Sequence, residues 1–167
     1  MSINILTSLF AQKSSANTEL FTAVALMSAA DHATPLHAAV RTLNHIYVVD
    51  RIFRAHLLGE KHAYTATNTE ETPEIDTLQF AVAETDAWFE NYAAAINADA
   101  LAERISFEFT DGDTGTMTRE EMLFHVITHG TYHRGNVGQV LKGISVVPPR
   151  DLFTRFLHLH EPARRQA

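Results

Sequence analysis

The chain has 167 residues, of which 46% are hydrophobic and 20% charged, and a formal net charge of −7. That composition suits one globular domain rather than a disordered or low-complexity chain, and the acidic balance argues against duplex nucleic acid as a partner. There is no Cys, which excludes disulfides, thiolate metal sites, iron–sulfur clusters and cysteine nucleophiles, and no apolar run reaches the ~18 residues of a membrane span.

Met1-Ser2-Ile3-Asn4 carries no basic region ahead of the first apolar stretch, so no signal peptide is read there and the expected compartment is the cytoplasm. A first helix is expected from Ile3 to Met27, with Ile5, Leu9, Ala16, Leu20, Val24 and Met27 on one side. Its spacing is loose through Lys13–Asn17, where a kink is expected. The second helix has a start signal in Thr34 as N-cap with Pro35 behind it, and a stop in Gly59. Its main stripe is Leu36, Ala39, Leu43, Ile46, Phe53 and Leu57, interrupted by Asp50. Val49 and Ile52 form a second apolar edge, so this helix should be covered on more than one side, and that surplus is the ground for expecting a homodimer.

Residues 60–71 are polar and rich in Thr and read as a loop. Thr72-Pro73-Glu74 repeats the start signal, and Ile75, Leu78, Val82, Thr85, Phe89, Tyr92 and Ile96 follow at bundle spacing. Arg104–Thr110 then alternates with period two, Asp111-Gly112 marks a turn, and Thr114–Met117 pairs back. Thr118 and Glu121 form a capping box for a last long helix that should stop at Gly143. Leu152, Phe153, Phe156 and Leu157 offer apolar surface after Pro148-Pro149. The expected fold is all-α, a four-helix bundle with a short β-hairpin before the last helix, over residues 1–160, with a flexible tail over 161–167. The connections do not fix the winding order.

The chemistry concentrates in 10 His. On the last helix Val126, His129, His133, Val137, Val140 and Ile144 fall within an arc of about 80°. Two histidines at i and i+4 thus replace apolar residues in the core stripe, and their rings project one turn apart, as two ligands of one metal ion do. Gly130, Thr131 and Tyr132 stand between them, so the glutamate of a His-Glu-x-x-His metalloprotease motif is missing. A third ligand must come from elsewhere, and periodicity leaves His37, His45, His56 and His125 open. Asp50 reads either as a buried ion pair or as an acceptor orienting a ligand His. Arg134 reads either as an anchor for an acidic residue across the bundle, the preferred reading, or as a group facing an anionic substrate. Trp88 and the ten Phe read as core and interface, and His158 and His160 as surface.

The stretch His125-Val126-Ile127-Thr128-His129-Gly130-Thr131-Tyr132-His133-Arg134-Gly135-Asn136, together with Leu43-Asn44-His45-Ile46 followed by Asp50 and Phe53, resembles the two signature blocks of the DinB/YfiT-like family. The resemblance covers nearly the whole chain. It implies a four-helix bundle holding a divalent metal on three His, which map here to His45, His129 and His133. The chain departs from the family at Asn136, where Gln is usual, and that position with Asp50 and Arg134 is expected to surround the ligands. Zinc and nickel both suit imidazole. The resemblance and the absence of Cys lead to a metal-dependent transferase or hydrolase that activates water or a low-molecular-weight thiol for transfer to a small electrophile. The alternative is a non-catalytic metal- or ligand-binding stress protein.

Overall fold

The structure, a computed structural model, describes residues 3–164. Helix α1 spans Ile3–Val24, α2 Ala29–Leu58, α3 Ile75–Ala95 and the single turn α4 Ala98–Leu101. The strands β1 (Arg104–Glu108) and β2 (Thr114–Thr118) follow, then α5 (Arg119–Gly143), α6 (Phe153–His160) and a 3₁₀ turn over Pro162–Arg164. Residues 165–167 of the expected flexible tail lie outside the described residues. The fold is an all-α bundle carrying a short antiparallel hairpin before its last long helix. Among the described residues no helix is long and apolar enough to cross a membrane.

The four long helices close a ring: α2 packs on α5 and α3, and α1 packs on α3 and α5. The sequential pairs α1–α2 and α3–α5 therefore lie across the diagonals. Each helix contributes to two apolar clusters. One holds Leu6, Phe10, Val49, Phe53, Phe89, Leu123 and Val126, the other Leu20, Val24, Leu43, Ile46, Val82, Val137 and Leu141. Between them, on all four helices, lies a buried polar layer of Lys13, Asn17, Asp50, Asp86 and Arg134. Lys13 Nζ stands 2.7 Å from Asp50 Oδ2 and also pairs with Asp86, which accepts from Asn17 at 2.7 Å. Arg134 Nε donates to Asp151 at 2.7 Å, tying the segment after α5 to the layer.

That layer explains the loose spacing in α1. The helix runs unbroken through Lys13–Asn17, because Lys13 and Asn17 are inward-facing members of the layer one turn apart, not signs of a kink. Ile5, expected in the core, is 48% exposed, while Leu6 and Phe10 take the buried side. Helix α2 begins five residues before Thr34, capped by the Ser28 hydroxyl, and bends at His32, which leaves helical φ and ψ. Pro35 then falls in the first turn after the bend, where a missing N–H removes no hydrogen bond. The third helix, by contrast, starts beyond its Thr-Pro signal, at Ile75 behind Glu74.

Gly59 ends α2 as expected, at φ 67°. At the end of α5 the left-handed residue is Ser145 (φ 64°), not Gly143. Ser145 N–H bonds the Lys142 carbonyl and Val146 N–H the Leu141 carbonyl, a Schellman arrangement shifted past the glycine. The capping box of Thr118 and Glu121 is present in full. The hairpin leans on the bundle through Phe107, with Ile105 and Met117 beside it. Trp88 stacks on Tyr92, but Phe80, Phe109 and Phe124 are exposed, so the aromatic residues are not uniformly core.

Helix α2 is buried on two sides, as its pattern requires. The second side is covered by the chain's own loop between Gly59 and Glu74. Asn44, Val48, Ile52 and His56 follow one another at i+4. Asn44 bonds loop residues Asn68 and Thr69, and the His56 ring meets His62. Val49 and Ile52, the second apolar edge, are both buried within the chain.

Candidate metal centre

His45 on α2 and His129 and His133 on α5 come together where these two helices pack. One nitrogen from each ring lies within 4.8 Å of the other two. The ring centroids are 4.9 Å apart for His45 and His129, 4.6 Å for His45 and His133, and 4.5 Å for His129 and His133. All three side chains are half-buried. Among the described residues this is the only group of His, Asp or Glu clustered closely enough to hold a metal ion. It contains no carboxylate.

The local placement differs from the expected one in a single respect. His129 and His133 do not sit in the middle of the core stripe of α5. The buried line runs Leu123, Val126, Ile127, Gly130, Arg134, Val137 and Leu141, and the two histidines lie at its edge beside α2. The stripe is rotated because Arg134 is buried with its charge paired, and Gly130 leaves room for the Arg134 and Lys13 side chains. Neither residue reads as apolar, so a hydrophobic pattern misplaces the centre of the face.

Hydrogen bonding decides which nitrogen His45 presents. Its Nδ1 lies 2.7 Å from the Thr67 carbonyl oxygen, which can only accept, so the ring proton sits on Nδ1 and the Nε2 lone pair is free. That Nε2 faces Nε2 of His129 at 3.0 Å. Two lone pairs at this separation repel, so the gap suits either a proton of His129 or a shared cation. Two nitrogens bound to one tetrahedral zinc ion stand about 3.3 Å apart, close to what is seen. The donor set therefore fits a divalent ion of the zinc or nickel kind.

Protonation does not compete at neutral pH. Burial, then the neighbouring His133, His45 and His125 rings and the Lys13 ammonium, push the His129 pKa down to about 3. Burial and His45 lower that of His133. Both rings are neutral and have lone pairs to give.

The other histidines are sorted by packing. His125 lies one turn before His129 and is sandwiched between its ring and that of Phe53, at 5.4 and 4.5 Å. His56 is buried against Phe107 and His62, and burial followed by His62 lowers its pKa. His37 is exposed, as are His158 and His160, which bond the carbonyls one turn back on α6. Among the described residues no hydrogen bond or ion pair joins Asp50 to a histidine. Asp50 pairs with Lys13, its second oxygen finds no hydrogen-bond partner, and burial outweighs Lys13 to push its pKa up to about 6. Arg134 is committed to Asp151, with Thr131 and Asn17 beside it. Asn136 is exposed on α5.

Sequence reasoning missed the loop's part in the site. A backbone carbonyl leaves no mark in the sequence, and Thr67 sits in a stretch legible only as a polar loop. The buried partners Lys13, Asn17 and Asp86 did leave a signal: polar residues at inward positions of α1 and α3, opposite an acidic residue in the stripe of α2.

Neither a curated protein nor a solved structure matches the chain. The model of the DinB family matches residues 1–165, almost its entire length. With an all-α bundle, and with three histidines from the second and last long helices brought to one point, the chain belongs to the DinB family.

Proposed function

We propose that the chain is a metal-dependent enzyme in which His45, His129 and His133 hold a divalent ion, zinc or nickel, for transfer of water or a low-molecular-weight thiol to a small electrophile. The observation that carries this reading is the convergence of three imidazoles within 4.8 Å with no carboxylate among them. When bound, such an ion keeps its full positive charge and supplies a Lewis acid that acidifies water or a thiol.

The chain's own residues bind and orient. Thr67 holds the His45 proton on Nδ1 and turns Nε2 to the site. His129 and His133 stay neutral through burial. All three side chains are only partly buried, and Tyr132, itself 68% exposed, sets its ring edge-on to His133 at 5.0 Å. Asp50 and Arg134 are committed to ion pairs in the buried layer and are not placed to move a proton at the site. The chain has no Cys, so a thiol nucleophile must come from outside.

The test begins with elemental analysis of untagged protein. Zinc- or nickel-loaded protein is then assayed with a panel of small thiols and electrophiles. Thiol-dependent turnover is expected, lost on metal removal and on His133→Ala while circular dichroism shows the fold intact. Retained metal with no turnover and no spectral response to thiol replaces this reading with that of a metal-binding protein.

A further inference from the structure

We infer that Asn44 is a positioning residue for the three-histidine site: it clamps the loop onto α2 so that the Thr67 carbonyl keeps the His45 proton on Nδ1. The inference deepens the metal-binding reading above and rests on it for metal affinity, though not for the state of the His45 ring.

The loop between Gly59 and Glu74 has no helix or strand of its own. A carbonyl in such a stretch is held only as firmly as the loop is tied down. The ties run to two residues of α2, Arg41 and Asn44, of which Asn44 is the buried one, 1% exposed. Its Nδ2 donates to the Asn68 side-chain oxygen and to Thr69 Oγ1, the latter at 2.6 Å. Asn68 Nδ2 in turn donates to the Arg41 carbonyl at 3.0 Å. Arg41 Nη1 donates to the carbonyls of Thr69 at 2.7 Å and Glu71 at 3.2 Å, and Thr69 Oγ1 to that of Glu71 at 2.6 Å. Arg41, Asn44 and His45 lie within about one turn of α2.

The geometry is a two-point register. Asn44 and His45 are adjacent on the helix, and Asn68 and Thr67 are adjacent on the loop. One hydrogen bond joins Asn44 to Asn68, and the next joins the His45 ring to the Thr67 carbonyl. The Asn44 amide is almost wholly buried, so its bonds to the loop do not exchange with water as the half-buried ring's can. Arg41 holds the loop farther along, at Thr69 and Glu71, so removing the Asn44 amide loosens the loop beside His45 and lets the Thr67 acceptor move off Nδ1. The ring proton can then sit on either nitrogen, and placed on Nε2 it occupies the lone pair that faces His129. Outer groups that orient a metal-ligating His in this way affect metal affinity strongly.

The test uses full-length protein carrying Asn44→Ala, with Asn68→Ala as a second variant that breaks the same bond from the loop side. In metal-free protein, long-range proton–nitrogen correlation spectra read the His45 tautomer directly. The wild type should show the proton on Nδ1, and both variants a shift of population to Nε2. Zinc affinity, measured by competition with a chromophoric chelator, should fall about 10–100-fold in both. Thr69→Ser, which keeps the hydroxyl, should leave tautomer and affinity as in the wild type. An unchanged tautomer in both alanine variants overturns the inference, even where zinc affinity falls. A wild-type ring protonated on Nδ1 and shifted in the variants, in a protein that binds no zinc, upholds the clamp and overturns the metal-binding reading.

Discussion

At the scale of single residues, the buried charge layer sets a measurable pH dependence. Lys13 faces two carboxylates, Asp50 and Asp86, in a region without water access. Burial lowers the Lys13 pKa, but its two acidic partners outweigh this and leave it raised. The Asp50 pKa is pushed up to about 6, mainly by burial. Its folded pKa therefore lies above its unfolded value, and its contribution to stability is full at low pH and is lost as pH rises through about 6. Between pH 7 and 5 this one group should favour the folded state by about 1 kcal/mol. In Asp50→Asn that increment should vanish, which urea denaturation of both proteins at the two pH values checks. Identical pH responses would show that Asp50 is already protonated, or not buried, in solution.

At the scale of elements, α5 holds two glycines whose surroundings differ sharply. A Cβ on Gly135 would meet nothing within 4 Å. One on Gly130 would lie 3.0 Å from Arg134 Nη1, whose guanidinium is buried and held by Asp151. Replacing glycine by alanine inside a helix is worth up to about 1 kcal/mol through backbone entropy alone. Gly135→Ala should therefore gain stability on that order. Gly130→Ala should gain nothing or lose stability, because the buried guanidinium must move off its partners. Equal gains in the denaturation midpoint would show that Arg134 can shift freely, contrary to its packing.

Across the whole molecule, the three histidines bridge α2 and α5, a principal packing pair of the bundle. A ligand bound only by the folded state stabilises it by mass action, by about 2.7 kcal/mol at a hundredfold excess over its Kd. For a chain of this size the melting temperature should rise by roughly 5–10 °C when zinc is added to chelator-treated protein. His45→Ala should abolish the rise, since it removes the α2 side of the bridge. A rise of the same size in that variant would place zinc elsewhere on the chain.

Local chemistry made much of this protein legible before folding. The capping box at Thr118, the stop at Gly59, the period-two stretch that becomes β1, and the i,i+4 pair of His129 and His133 all rest on neighbours within a few residues. Backbone geometry and side-chain spacing act over that range whatever the rest of the chain does. The match to two family signature blocks singled out His45, which its own helical face does not distinguish from His56 or His37. Only the tertiary structure decided what depends on distant partners. It put α1 and α2 on a diagonal, turned α5 so that a paired Arg134 and a glycine occupy its buried face, and filled the centre of the bundle with charges that cancel across four helices. It also laid a loop on α2, so that a carbonyl at Thr67 determines which nitrogen His45 presents. The reason is the same in each case: a polar or charged group is costly to bury alone and cheap to bury paired, and the pairing is made by residues far apart in the chain.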